Sequence, residues 1–113
     1  LEGGPGADLV RGGQANDILR GGEANDWLSG DRGSDTITGG SGADTFHTFS
    51  EAGLDRVLDF SQAEGDRVLV DVGSNYALSQ VGADTVIDFG GGNQMVLVNV
   101  QLATLTPGWI VTG

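Results

Sequence analysis

Apolar residues recur along the first 47 positions at intervals of nine, at Val10, Leu19, Leu28, Ile37 and Phe46. Neither the 3.6-residue period of an amphipathic helix nor the two-residue alternation of a long strand produces that spacing. The residues between them are glycine-rich and polar, so each cycle predicts a six-residue turn followed by a three-residue strand whose middle side chain alone faces inward. Aligned on the glycines, the units are GGPGADLVR from Gly3, GGQANDILR from Gly12, GGEANDWLS from Gly21, GDRGSDTIT from Gly30 and GGSGADTFH from Gly39. Two units make one coil of a flattened parallel superhelix. Units one, three and five stack in one sheet with Val10, Leu28 and Phe46 inward, and units two and four stack in the other with Leu19 and Ile37 inward. After His47 the phase is lost, and residues 48–113 read as strands separated by Gly, Asn and Asp turns, an irregular antiparallel β cap. Such a cap answers a physical need, because an open coil exposes unpaired backbone and an apolar end. Inside it, DRVLDF at Asp55–Phe60 is echoed by DTVIDF at Asp84–Phe89, as in a weak internal duplication.

Composition narrows the picture. A chain of 113 residues that is 38% hydrophobic suits one domain with a narrow core. Its 21 glycines lack the three-residue period of collagen and so serve turns. Sixteen acidic residues against five arginines leave a net charge of −11, which argues against nucleic acid or an anionic membrane as partner and in favour of a cation. No apolar run is as long as a membrane span, and no basic-then-apolar leader opens the chain. The first residue is Leu rather than Met, so the chain reads as a piece of something longer. With no cysteine, disulfides and thiolate metal sites are excluded.

The sixth place of every unit is aspartate: Asp8, Asp17, Asp26, Asp35 and Asp44. Stacked parallel strands lie about 4.8 Å apart, so carboxylates from alternate units approach closely and repel. The pairs expected from this stacking are Asp8 with Asp26, Asp17 with Asp35, and Asp26 with Asp44, three interior sites. A hard divalent cation reverses the sign of that repulsion. Calcium, with six to eight oxygen ligands at about 2.3–2.6 Å and tolerance of irregular geometry, suits carboxylates combined with turn carbonyls better than magnesium does. Ala15 and Ala24 replace the fourth-place glycine and Asp31 a second-place one. Each costs about 1 kcal/mol if its place requires positive φ, and Asn16 and Asn25, which tolerate left-handed geometry, are placed to absorb that strain. The sites that share the turns of units two and three are therefore expected to fill last.

These five in-phase copies resemble the RTX (repeats in toxin) nonapeptide family, whose consensus is Gly-Gly-x-Gly-x-Asp-x-apolar-x. The resemblance implies a right-handed parallel β-roll, two nonapeptides per turn, over residues 3–47, and a C-terminal β cap over 48–113, in one domain of residues 1–113. It implies about three to five calcium ions between successive turns. Their ligands would be the five aspartates and the turn positions Gly4, Gly6, Gly13, Ala15, Gly22, Ala24, Gly33, Gly40 and Gly42. In the family an Asp-x-apolar-x-Asp-Phe segment closes a further site, which implies Asp55 and Asp59 as continuations of the ladder; the alternative reading makes Asp55, Asp59 and Asp66 solvated turn residues. The family also implies a Gram-negative, type I-secreted parent protein, an extracellular location and a C-terminal export signal. Here the tail LATLTPGWIVTG is apolar at Trp109 to Val111 but lacks the acidic residue of that signal.

The function expected is calcium-triggered folding that assists export and stabilises a larger protein, without catalysis. His47, the single histidine, occupies an outward strand place, and the serines near it lack a nucleophile-elbow context. An alternative is a calcium-dependent module for an anionic polysaccharide such as alginate, with Trp27 stacking on a sugar and Arg11 and Arg20 attracting its charge; alginate epimerases carry repeats of this family. A further alternative is an adhesin or surface-layer segment.

Overall fold

The computed structural model describes residues 2–113. The five repeats form five short strands: β1 (Leu9–Arg11), β2 (Ile18–Arg20), β3 (Trp27–Ser29), β4 (Thr36–Thr38) and β5 (Thr45–Thr48). In each, the eighth-place residue is buried, and Leu19, Leu28, Ile37 and Phe46 are fully enclosed. Their neighbours point outward, as the pleat requires. β1, β3 and β5 pair in parallel, with Val10 opposite Leu28 and Leu28 opposite Phe46. β2 and β4 do the same on the other side, with Leu19 opposite Ile37. The two sheets face each other across a core one side chain deep from each, the arrangement of a parallel β-roll.

The roll does not stop at His47. Beyond it lie β6 (Leu54–Val57), β7 (Arg67–Val70), β8 (Ala77–Val81), β9 (Asp84–Gly90), β10 (Asn93–Leu97) and β11 (Ile110–Thr112), with single 3-10 turns at Gln62–Glu64 and Leu102–Thr104. β6 stacks on β4 and β7 on β5, both in parallel. β10 then stacks on β6 and β11 on β7, again in parallel. The first sheet runs β1-β3-β5-β7-β11 and the second β2-β4-β6-β10-β9-β8. The irregular antiparallel region expected after His47 is therefore antiparallel only where β8, β9 and β10 meet. The phase was lost through insertion: Ile37 faces Val57 and Phe46 faces Val68, so the loops lengthen while the rungs continue. The echo between the two Asp-Phe segments has no structural counterpart, since DRVLDF contributes a parallel rung and DTVIDF lies in the antiparallel hairpin.

Phe60 and Trp109 close the core, edge to face at 6.2 Å, and Phe60 reaches Phe46 at 6.0 Å. The apolar C-terminal stretch is thus built into the roll as β11, with Trp109 buried beside it.

Candidate metal centre

Each sixth-place aspartate stands one residue before its strand, so stacking the strands stacks the carboxylates. On one edge, Asp8 N–H donates to Asp26 Oδ1 at 2.8 Å, Asp26 N–H to Asp44 Oδ1 at 2.8 Å, and Asp44 N–H to Asp66 Oδ1 at 2.8 Å. On the other edge, Asp17 N–H donates to Asp35 Oδ1 at 2.7 Å and Asp35 N–H to Asp55 Oδ1 at 3.1 Å. The three pairs expected from the spacing are brought together. Asp55 joins the ladder and Asp59 does not: its oxygens accept from Gly39 N–H at 2.9 Å and Gly40 N–H at 2.8 Å, clamping the turn of unit five. Asp66, weighed in the sequence only as a solvated turn residue, is buried and forms the last rung of the first ladder. Its signal was present in the Asp-x-apolar order of Asp66, Arg67 and Val68, which repeats places six to eight outside the nine-residue phase.

Asp26, Asp35, Asp44 and Asp55 each accept across the stack through Oδ1 alone, whereas Asp66 accepts through both oxygens. Oδ2 of Asp8, Asp17, Asp26, Asp35, Asp44 and Asp55 is buried without a hydrogen-bond partner. Such an atom costs about 1–3 kcal/mol when neutral and more when charged. Burial, reinforced by the neighbouring carboxylates, accordingly pushes the Asp26 and Asp35 carboxyls up, Asp44 to about 7 and Asp55 to about 8. Burial also raises Asp66, whose Oδ2 accepts from Ser61 N–H at 3.0 Å.

The turns bring backbone oxygens to the same edges. A Cβ on Gly22 would strike the Gly4 carbonyl oxygen at 2.5 Å, one on Gly33 the Ala15 oxygen at 2.5 Å, and one on Gly42 the Ala24 oxygen at 2.6 Å. These turn carbonyls therefore point along the stack toward the next coil. The Gly13 carbonyl accepts from Arg32 N–H at 2.8 Å. Gly4, Gly6, Gly13, Gly22, Gly33, Gly40 and Gly42 all have positive φ, the conformation that aims successive carbonyls in this way. Among the described residues no three His, Cys, Asp or Glu side chains converge as a metal cluster, so a cation here must draw on carbonyls as well as carboxylates. The donor set is oxygen only, with a buried, unpartnered Oδ2 on every ladder aspartate except Asp66, and it fits a hard cation such as calcium.

Ala24 takes the strained left-handed backbone of the glycine it replaces, φ 70°, and so does Asp31, φ 60°, whereas Ala15 does not have positive φ. Asn16 and Asn25 do not absorb strain through left-handed backbone either. Their side chains make a second ladder, with Asn16 Oδ1 accepting from Ser34 N–H and Asn25 Oδ1 from Ala43 N–H, each at 2.8 Å.

The residues read as a glycan surface do not converge. Trp27 and Arg11 lie on the first sheet, and Arg20, on β2, belongs to the opposite one. Arg11 grips Asp31 at 2.9 Å. Trp27 stacks on His47, ring centroids 4.8 Å apart. His47 points outward from β5 as expected, yet its side chain is only 11% exposed.

Residues 1–28 and 20–48 match the family model of the RTX calcium-binding nonapeptide repeat (4 copies). No curated protein sequence matches the chain. Among solved structures, the fold is similar to the extracellular lipase LipA from Serratia marcescens, with TM-score 0.67 and 23% identity over 90% of this chain and 20% of the lipase. It is also similar to the AlgE6R2 subunit of the Azotobacter vinelandii mannuronan C5-epimerase, with TM-score 0.65 and 23% identity over 99% of this chain and 91% of that one. The AlgE6R3 subunit of the same enzyme follows at TM-score 0.51 and 25% identity, over 93% and 78% of the two chains. The chain thus spans about a fifth of the lipase and nearly all of the AlgE6R2 subunit.

Proposed function

Residues 1–48 belong to the RTX calcium-binding nonapeptide repeat family, and from that premise we propose that this chain is a non-catalytic module whose folding is triggered by calcium outside the cell, stabilising a larger secreted bacterial protein and assisting its type I export. The observation that carries the reading is the row of buried, unpartnered Oδ2 atoms on two parallel ladders. Asp8 with Asp26, Asp26 with Asp44, Asp17 with Asp35, Asp35 with Asp55 and Asp44 with Asp66 are the rung pairs, within the three to five ions expected. Bound calcium supplies the positive charge that the paired carboxylates of a rung lack. Asp55 and Asp66 extend the ladders, and Asp59 holds the last nonapeptide turn.

Without that charge the aspartates repel, and the chain at −11 favours the unfolded, exportable state. Extracellular calcium modules bind at about 10⁻⁴–10⁻³ M, and with sites of that strength here binding energy becomes folding energy only after export. The segment that ends in β11 is open to an export apparatus only before the roll closes over Trp109.

Tryptophan fluorescence provides the test, because Trp109 reports the core and Trp27 the outer sheet. Calcium should shift both in one cooperative transition, and magnesium at the same concentration should not. A passenger fused to the module should leave the cell through a type I system. Two unlinked transitions, or equal effects of magnesium, would sink the reading.

A further inference from the structure

Beside the aspartate ladders, on the same turns, runs the shorter ladder of amide side chains. Asn16 Oδ1 accepts from Ser34 N–H and Asn25 Oδ1 from Ala43 N–H, each at 2.8 Å. Both contacts join the fifth places of units two apart, so each ties a turn to the turn stacked on it. The N–H of the next residue is held from the opposite side, Asp35 N–H by Asp55 Oδ1 at 3.1 Å and Asp44 N–H by Asp66 Oδ1 at 2.8 Å. The turns of units four and five are thus gripped by the coil before and the coil after. The two grips differ in charge. One comes from carboxylates that burial and neighbouring charge disfavour, whereas the amides are neutral and hold with or without a cation.

The amides also stand beside the turn carbonyls. A Cβ on Gly33 would meet both the Ala15 carbonyl oxygen, at 2.5 Å, and Asn16 Oδ1, at 3.3 Å. The backbone oxygen and the side-chain oxygen of adjacent residues therefore face the same point of the next coil. Asparagine follows the alanine in both units whose fourth-place glycine is replaced, while the units that keep Gly6, Gly33 and Gly42 carry Ala7, Ser34 and Ala43 at the fifth place. Ala7 has no side-chain acceptor to offer Asn25 N–H, so units one and three lack the contact.

We propose that Asn16 and Asn25 are positioning residues of the calcium sites: by fixing their own turns against the next coil, they aim the Ala15 and Ala24 carbonyls at the cation and offset the missing glycine. The inference rests on the calcium reading given above and adds an order to it. A site whose turns are already registered loses less freedom when it is filled. The Asp17–Asp35 and Asp26–Asp44 sites, held by the amides, therefore fill first, and the Asp8–Asp26 site fills last. That reverses the order expected from the glycine replacements alone.

Denaturant titration across a range of calcium concentrations tests this, because the slope of unfolding free energy against the logarithm of calcium counts the ions held by the folded state. Asn16 and Asn25 are exposed, so Asn16→Ala and Asn25→Ala leave no cavity in the core. Each should lower the slope by about one ion at the low end of the range and rejoin the parent's slope at saturation. Ala7→Asn, which supplies the missing acceptor, should raise the low-calcium slope by up to about one ion. A parallel displacement of the alanine variants, with the slope unchanged at every calcium concentration, means that the amides only add stability and overturns the proposal. So does an Ala7→Asn chain whose slope matches the parent's. A parent whose stability ignores calcium overturns the calcium reading itself and this inference with it, which separates the two failures.

Discussion

Ala15 and Ala24 occupy the same place in successive units and would be treated alike in any alignment, yet the backbone separates them. Ala24 pays for left-handed geometry at φ 70° and Ala15 does not. Ala24→Gly should therefore raise the calcium-loaded unfolding free energy by about 1 kcal/mol, whereas Ala15→Gly should lower it by about 0.4–1 kcal/mol through the freedom it adds to the unfolded chain. Denaturant titration of the two variants checks the opposite signs. The first-place glycines have a different reason to be glycine: a Cβ on Gly21 would meet Asp26 Oδ2 and the Gly39 carbonyl oxygen, each at 2.6 Å. Gly21→Ala should cost about 1–3 kcal/mol, read as a lower melting temperature at saturating calcium. At this scale the aspartate and apolar columns were plain in the sequence. The φ of individual turn residues was not, because it depends on the carbonyls stacked above and below.

The ladder was legible for as long as its period held. Asp8 to Asp44 repeat without insertion, so the pairing of alternate units followed from counting. Asp55 and Asp66 sit 20 and 22 residues beyond their partners rather than 18, and the longer loops concealed rungs that the Asp-x-apolar order still marks. Hydrogen bonding across strands cannot be counted in this way, and so β10 and β11 were expected among antiparallel strands.

The ladder also dictates a pH response. In the folded, calcium-free chain Asp44 and Asp55 hold their protons to about pH 7 and about pH 8, against an ordinary value of 3.8. Between those values the folded state binds more protons than the unfolded one, so stability falls as pH rises. In chelator, β structure should be greater near pH 5 than near pH 8.5, which circular dichroism can follow; more β structure at the alkaline end would contradict the burial of these groups. Asp55→Asn keeps an acceptor for Asp35 N–H while removing the charge. It should melt no lower than the parent in chelator near pH 5, where the calcium-free parent retains β structure, yet lower than the parent in calcium at neutral pH.

For the whole molecule, sixteen acids and five arginines share a two-sheet roll whose core is one side chain deep from each face. So narrow a core leaves little to offset stacked charges, and the account makes folding conditional on a cation. That claim is tested most directly by far-ultraviolet circular dichroism of the chain at neutral pH, first in excess chelator and then with calcium restored. The account predicts a spectrum dominated by coil that converts cooperatively to β structure on addition of calcium. A fully folded, unchanged spectrum in chelator would contradict it.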